Sequence, residues 1–483
     1  MFNHRPPPCP LFCVPTHPVA NASALLYLGR MPAAIQPGPE ARRALIFSVL
    51  AASYMLVTFH RLCPAAVAAD MMRDLAAGGG LLGMLSGAYF YSYALMQVPA
   101  GLLADSWGAR RATSAFFLLA AVGAVIMGLS PGAGWAMAGR VLVGAGLSMT
   151  WVCTLKTLAV WYPPERFASM TGILVAMGGL GSLLASAPLA WASHHLGWRT
   201  AFLALGAASL ALSGLLWLVV RDSPAQAGLR AAAFPQAAEP GGRDLLPGVR
   251  AVVSNRWAWL VAAWLLLDNG VFFSLAGLWA GPYLKHVHAA EPGDVGLILA
   301  MFSVGLVTGA PFMSFMSTRL LKSRKKALAV SAAVLCGCLA LLALRTGEVS
   351  RAELYVLFYL IGVSGGTTPV VAFTSAKELF PISLAGTAVG ILNIFPFAGG
   401  AVFQPLVGMI LEAGGRTPSG DFTLEAYRSA FWFLAAASGA LFAVCLAMKE
   451  TFGAGQGQSD VSHSGNAKPG DGGRPRDDRP TYG

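Results

Sequence analysis

Twelve apolar runs follow one another along this chain, each near the ~20 residues that an α-helix needs to cross a bilayer. They fall at about 44–67, 81–104, 112–131, 134–158, 167–192, 198–220, 257–284, 293–317, 327–344, 354–376, 382–410 and 427–448. Hydrophobic residues make up 56% of the 483 and charged ones 11%, far below the quarter usual in soluble domains. The runs are long, continuously apolar and lack period-two alternation, so they predict spanning helices rather than a barrel. The expected fold class is an all-α membrane protein.

Loop charge sets the orientation. With the N-terminus inside, inner loops carry seventeen Lys and Arg and outer loops seven. Both termini are therefore expected in the cytoplasm, with the chain multi-pass in the inner (plasma) membrane. The formal net charge of +11 is mostly this topology; scattered over loops, it gives no nucleic-acid surface. Cysteines are few and mostly within spans, and neither a disulfide framework nor a metal-ligand spacing is visible.

Residues 1–41 form a proline-rich leader, with Met31 a natural alternative start, and 42–220 and 257–448 are two sets of six spans. Residues 221–256 read as a cytoplasmic linker and 449–483 as a polar tail, leader and tail both expected disordered. The halves carry a faint repeat. Trp161-Tyr162-Pro163 and Gly172-Ile173-Leu174 recur at an offset of 218 as Leu379-Phe380-Pro381 and Gly390-Ile391-Leu392, and Gly181 and Gly399 share that offset. Small residues mark close helix approach: Gly172, Ala176 and Gly179 on the fifth span, Gly305-x-x-x-Gly309 on the eighth, Gly386-x-x-x-Gly390 on the eleventh.

Between the second and third spans stands Gly101-Leu102-Leu103-Ala104-Asp105-Ser106-Trp107-Gly108-Ala109-Arg110-Arg111, a tight Gly/Asp/Gly reversal ending in two arginines. It resembles the G-x-L-x-D-x-x-G-x-R/K-R/K signature of the major facilitator superfamily. That resemblance implies twelve transmembrane helices in two pseudo-symmetric six-helix bundles, alternating access, and a conformational latch made by Gly101, Asp105, Gly108, Arg110 and Arg111. It also implies a carrier, not an enzyme. No lysine follows a glycine, so there is no phosphate-binding loop to drive ATP-powered transport.

Ionisable residues inside a span are costly and are functional candidates. They are Arg61 with adjacent His60 on the first span, Arg140 and Lys156 on the fourth, and Asp268 near the middle of the seventh. On the second span Ser86, Tyr89, Tyr93 and Gln97 recur every three or four residues, a polar-aromatic stripe along one helix face. Asn393 and Gln404 on the eleventh are weaker candidates.

Arg61 followed by Tyr93-x-x-x-Gln97-Val98-Pro99-x-Gly101 also resembles the anion:cation symporter and organophosphate:phosphate antiporter branches. There the first-helix arginine binds the carboxylate or phosphate of the substrate. The chain departs from that branch at His60, where an acid is usual, at Leu147, where glutamate is common, and at Thr318, where the second loop would have aspartate.

Arg61, Tyr89, Tyr93, Gln97, Lys156 and Asn393 are the expected substrate contacts; His60, Asp268 and Arg140 are the expected proton-coupling groups. Three intramembrane basic residues against one clear acid favour an anion. The reading is a monomeric secondary carrier of a small organic anion, coupled to protons, with no cofactor and no partner besides the substrate, the coupling ion and the lipid bilayer. The alternative is an exporter of a larger amphipathic compound such as a siderophore or drug.

Overall fold

A computed structural model describes residues 39–227 and 245–452. The leader, apart from its last residues, the middle of the linker (228–244) and the tail from residue 453 lie outside the described residues. The N-terminal segment ending at Leu45 is a unit by itself, of which the described part is helical and carries a Glu40–Arg43 ion pair of 2.7 Å. From Ile46 onward the described residues form one compact unit.

The first six helices are α1 (Pro39–Asp74), α2 (Gly79–Ser106), α3 (Ala109–Gly128), α4 (Ala133–Leu147 with Met149–Trp161), α5 (Pro164–Leu184 with Ala187–Leu196) and α6 (Trp198–Val219). After a short linker helix, Leu245–Val253, come α7 (Arg256–Ser274, a π turn at Leu275–Trp279, then Ala280–His288) and α8 (Pro292–Phe315 with a π turn at Met316–Leu320). They are followed by α9 (Arg324–Leu344), α10 (Arg351–Gly365, a π turn at Thr368–Ala372, then Phe373–Glu378), α11 (Ile382–Leu392 with Ile394–Ala413) and α12 (Leu424–Ala447). Eleven of these are long and apolar enough to span a membrane. The other, α2, has 28 residues, or ~42 Å at 1.5 Å per residue.

Most helices outrun their apolar windows. The extra turns carry charges that find partners, as at the end of α1, where Asp74 pairs with Arg199 at 2.8 Å and Asp70 with Lys285 at 3.1 Å. With an even number of spans, the ends of α1 and α7 lie on the face opposite the termini, called here the far face.

The reversal after α2 is tighter than the sequence implies. The helix runs on through Gly101 and Asp105 to Ser106, and the turn is only Trp107–Gly108. Gly108 has φ +82°, the left-handed region, and a Cβ there would crowd the Asp222 carboxylate. Asp222, just past α6, accepts the Arg110 backbone N–H at 2.8 Å and so caps α3. The second half repeats the device. Glu450, just past α12, accepts from the Ser323 hydroxyl and, at 2.9 Å, from the Arg324 backbone N–H, capping α9. Burial would raise the Glu450 carboxyl, but the donors Ser323, Phe452, Arg324 and Thr451 outweigh it and hold the carboxyl below its usual range. The cap therefore persists until pH falls through that lowered value. The tail expected from residue 449 thus begins later: Glu450–Phe452 are pinned, with the Arg324 guanidinium 5.1 Å from the Phe452 ring centre.

The repeat is structural as well. At Gly181 a Cβ would overlap the Met55 carbonyl, and at Gly399 the Leu266 carbonyl. Each glycine lets the fifth helix of its half (α5, α11) lie directly on the backbone of the first (α1, α7). Gly305 and Gly309 do the same for α8 against α10. By contrast Gly172, Gly386 and Gly390 have open space where packing was expected; they sit on the terminal-side ends of α5 and α11.

Contacts between the halves gather at the far face. The Gly79 backbone N–H donates to Glu412 at 2.6 Å, and Lys285 on α7 grips Asp70 on α1. Gly296 on α8 meets Ala187 on α5, and Gly281 on α7 meets the Ala65 carbonyl on α1, with no space for a Cβ at either glycine. Gly281→Val is therefore expected to forbid this closure and favour a far-side-open state. With Ala190→Cys as reporter beside the seam, labelling by a membrane-impermeant maleimide should rise several-fold. Unchanged labelling of well-folded protein would count against this seam as the far-side closure.

Candidate functional site

Arg61 stands on α1 about 20 Å from its far end at 1.5 Å per residue, partly exposed in the interior of the bundle. Its guanidinium carbon lies 5.4 Å from the Tyr93 ring centre on α2, 5.8 Å from Phe273 on α7 and 5.0 Å from Phe397 on α11. Both halves therefore contribute to one aromatic cage around one cation. Among the described residues no carboxylate pairs with it, and its Nε is buried without a hydrogen-bond partner. Stacking on aromatic faces offsets about 2 kcal/mol or more when a cation is desolvated, less than the several kcal/mol that burying an ion costs. The cage holds the charge in place and leaves it short of an anion.

Behind the cage lies a second buried layer. Tyr89 stacks on Tyr93 with ring centres 5.7 Å apart, and the Arg140 guanidinium sits 4.8 Å from the Tyr89 ring centre. Arg140 is 0% exposed and donates from Nη1 to the His60 carbonyl at 2.8 Å. Both ring nitrogens of His60, the Tyr89 and Ser86 hydroxyls, and Nε and Nη2 of Arg140 are buried without partners among the described residues. His60 follows the turn of the helix: one residue from Arg61, it points about 100° away, toward α4 rather than into the cage.

The other expected contacts spread along the axis. Gln97 accepts from Asn393 at 3.3 Å, joining α2 to α11 on the terminal side of the cage. Lys156 donates to the Ala104 carbonyl at 2.9 Å in the last turns of α2, so it lies closer to the terminal face than Arg61. Asp268 is 1% exposed on α7 and faces α10, where the Thr368 hydroxyl donates to its Oδ2 at 2.8 Å; Oδ1 has no partner among the described residues. Asn269 donates to the same Thr368 hydroxyl at 3.1 Å. Gln404 proves to be a brace, its amide donating to the Phe273 carbonyl at 2.8 Å beside the π turn of α7.

At the loop signature, Arg110 turns toward α6. Its Nε donates to the Trp217 carbonyl at 2.7 Å, and its guanidinium carbon lies 4.6 Å from the Trp217 ring centre. Arg111 is exposed. Gly101 and Asp105 lie in α2, and the Asp105 side chain is outside what the structure describes.

Sequence reasoning missed Phe273 and Phe397, which supply the second half of the cage. It also missed Asp222, which a search for acids one or two residues past a span would have found. Tyr54 had a legible signal. It stands seven residues before Arg61 on one face of α1, and it packs on Trp151 with ring centres 5.0 Å apart.

A probable sulfoacetate transporter of Cupriavidus necator is 24% identical over 77% of this chain and 88% of its own length. The hexuronate transporter of Bacillus subtilis is 22% identical over 75% of this chain and 86% of that one. Among solved structures, the bacterial homologue of the human lysosomal transporter Spinster superposes with a TM-score of 0.68 at 18% identity, covering 85% of this chain and 98% of that one. The D-xylose–proton symporter gives 0.67 at 15% identity, with the same coverage. The sequence pattern of the Major Facilitator Superfamily matches residues 46–290 and 269–459, nearly all of the helical body. The chain is a multi-pass membrane carrier and belongs to the Major Facilitator Superfamily.

Proposed function

We propose that this carrier moves a small organic anion across the inner membrane in exchange between two states, driven by protons. The observation that carries the reading is Arg61, a guanidinium with no carboxylate partner among the described residues, held where α1, α2, α7 and α11 meet. A bound carboxylate would complete the cage, supply the missing counter-charge and touch both halves at once, so its binding can couple their movement. Sulfoacetate and hexuronate, named for two relatives, are both organic anions.

With both termini cytoplasmic, the sealed far face is periplasmic, which supports reading this as the state that exchanges substrate with the cytoplasm. The far-side seam of Asp70–Lys285 and Gly79–Glu412 must part for the opposite state. Asp268, a carboxyl with one hydroxyl donor and no cation among the described residues, is the group that exchanges a proton with the gradient. His60 and Arg140 form the buried layer behind the site and sense its charge. Gly101, Asp105, Gly108, Arg110 and Arg111 form the latch that closes the cytoplasmic face, and the carrier works as a monomer.

The test is accumulation in proteoliposomes. Purified protein should concentrate a radiolabelled organic anion against its gradient when the lumen is made alkaline, and lose that accumulation on addition of a protonophore. Equilibration without accumulation would remove proton coupling. No uptake of any organic anion would remove the reading itself.

A further inference from the structure

We infer that the anion held by Arg61 carries one negative charge on a flat aromatic body. This rests on the anion reading above and narrows its substrate class.

The charge count comes first. Across the second half, α7, α8, α10 and α11 carry no Lys or Arg between their end turns. In the first half, Arg140 is fully buried behind Tyr89 and occupied by the His60 carbonyl, and Lys156 is directed to the end of α2. Among the described residues, one cation therefore faces the space shared by the two halves. A second anionic group on the substrate would be desolvated there without a partner, at a cost of several kcal/mol.

The walls decide what the rest of the substrate is. Tyr93, Phe273 and Phe397 surround the guanidinium on three sides. Two helical turns toward the termini, the Tyr54–Trp151 pair, both members partly exposed, offers a second aromatic wall. A polyhydroxylated acid would need several hydrogen-bond partners between these walls, and unmatched buried hydroxyls are costly. The nearest amides, Gln97 and Asn393, bond each other and leave the buried Gln97 Nε2 as an open donor, enough for one polar group but not for several. A ring fits instead: its carboxylate meets Arg61 while its faces stack on Phe397 and the Tyr54–Trp151 wall.

The experiment is thermal unfolding of the purified carrier in detergent with benzoate, phenylacetate, tartrate, glucuronate or glycerol 3-phosphate at equal concentration. Bound ligand raises the melting temperature by mass action. Benzoate and phenylacetate should raise it and the other three should not; Arg61→Ala should abolish the shift. Phe397→Leu, which keeps the bulk and removes the ring face, should weaken benzoate binding by about tenfold. A shift with tartrate, glucuronate or glycerol 3-phosphate but not benzoate, lost in Arg61→Ala, would overturn the aromatic body and leave the anion site standing. No shift with any of the five, or a benzoate shift that survives Arg61→Ala, would overturn the anion reading and this inference with it.

Discussion

Arg61→Lys is expected to lose transport almost as completely as Arg61→Ala, by about 100-fold or more, with insertion and folding intact. The charge is the same in the lysine variant, so its failure would have to come from shape. A guanidinium is a planar fork that can donate two parallel hydrogen bonds to a carboxylate while its faces lie on aromatic rings; an ammonium is a compact point charge that can do neither. The cage of Tyr93, Phe273 and Phe397 is built around such a plane. Removing one partner of a desolvated charge pair costs about 2–5 kcal/mol or more, hence the magnitude. Because Arg61 has no partner carboxylate among the described residues, its loss strands no buried acid, and the variants should remain monodisperse with near-normal melting. Counterflow of labelled substrate in proteoliposomes measures the effect. Uptake within a few-fold of wild type in the lysine variant would remove the two-point grip.

Asp268→Asn should separate two activities that run together in the wild type. Exchange of labelled for unlabelled substrate needs no net proton movement and should persist, whereas accumulation driven by a pH gradient should fall to background. The amide oxygen of asparagine can still accept from Thr368, which donates at 2.8 Å in the native protein, so packing between α7 and α10 is kept. What disappears is the exchangeable proton. A carboxyl inside a span is expensive to maintain unless it works, and among the described residues no cation pairs with this one to make it a purely structural ion pair. Loss of both activities together would instead make Asp268 a strut, and retention of driven uptake would place the proton elsewhere.

The spans were legible because their signal, twenty apolar residues in a row, depends on no distant partner. Their ends were less so. The charged turns of α1 continue as helix because Arg199 and Lys285 arrive from helices far along the chain to meet Asp74 and Asp70. Arg61 stood out because an unexplained charge in an apolar run is visible in one dimension. Phe273 and Phe397 were invisible for the opposite reason: a phenylalanine in a membrane helix is ordinary until folding brings it against a guanidinium. The expectation that Gly386 and Gly390 pack closely came from spacing alone, which cannot say which of several conformations brings the partner near.

The contacts at Gly181 and Gly399 have a mechanical consequence. Where helix backbones touch, there is no cushion of side chains to shear, so α1 with α5, and α7 with α11, behave as welded beams. Flexing either beam would force carbonyl oxygen into helix backbone, and the activation barrier to the transport cycle must therefore reside in the joint between the beams. Substitutions inside a beam should change how well the carrier survives heat, and substitutions along the joint should change how fast it cycles.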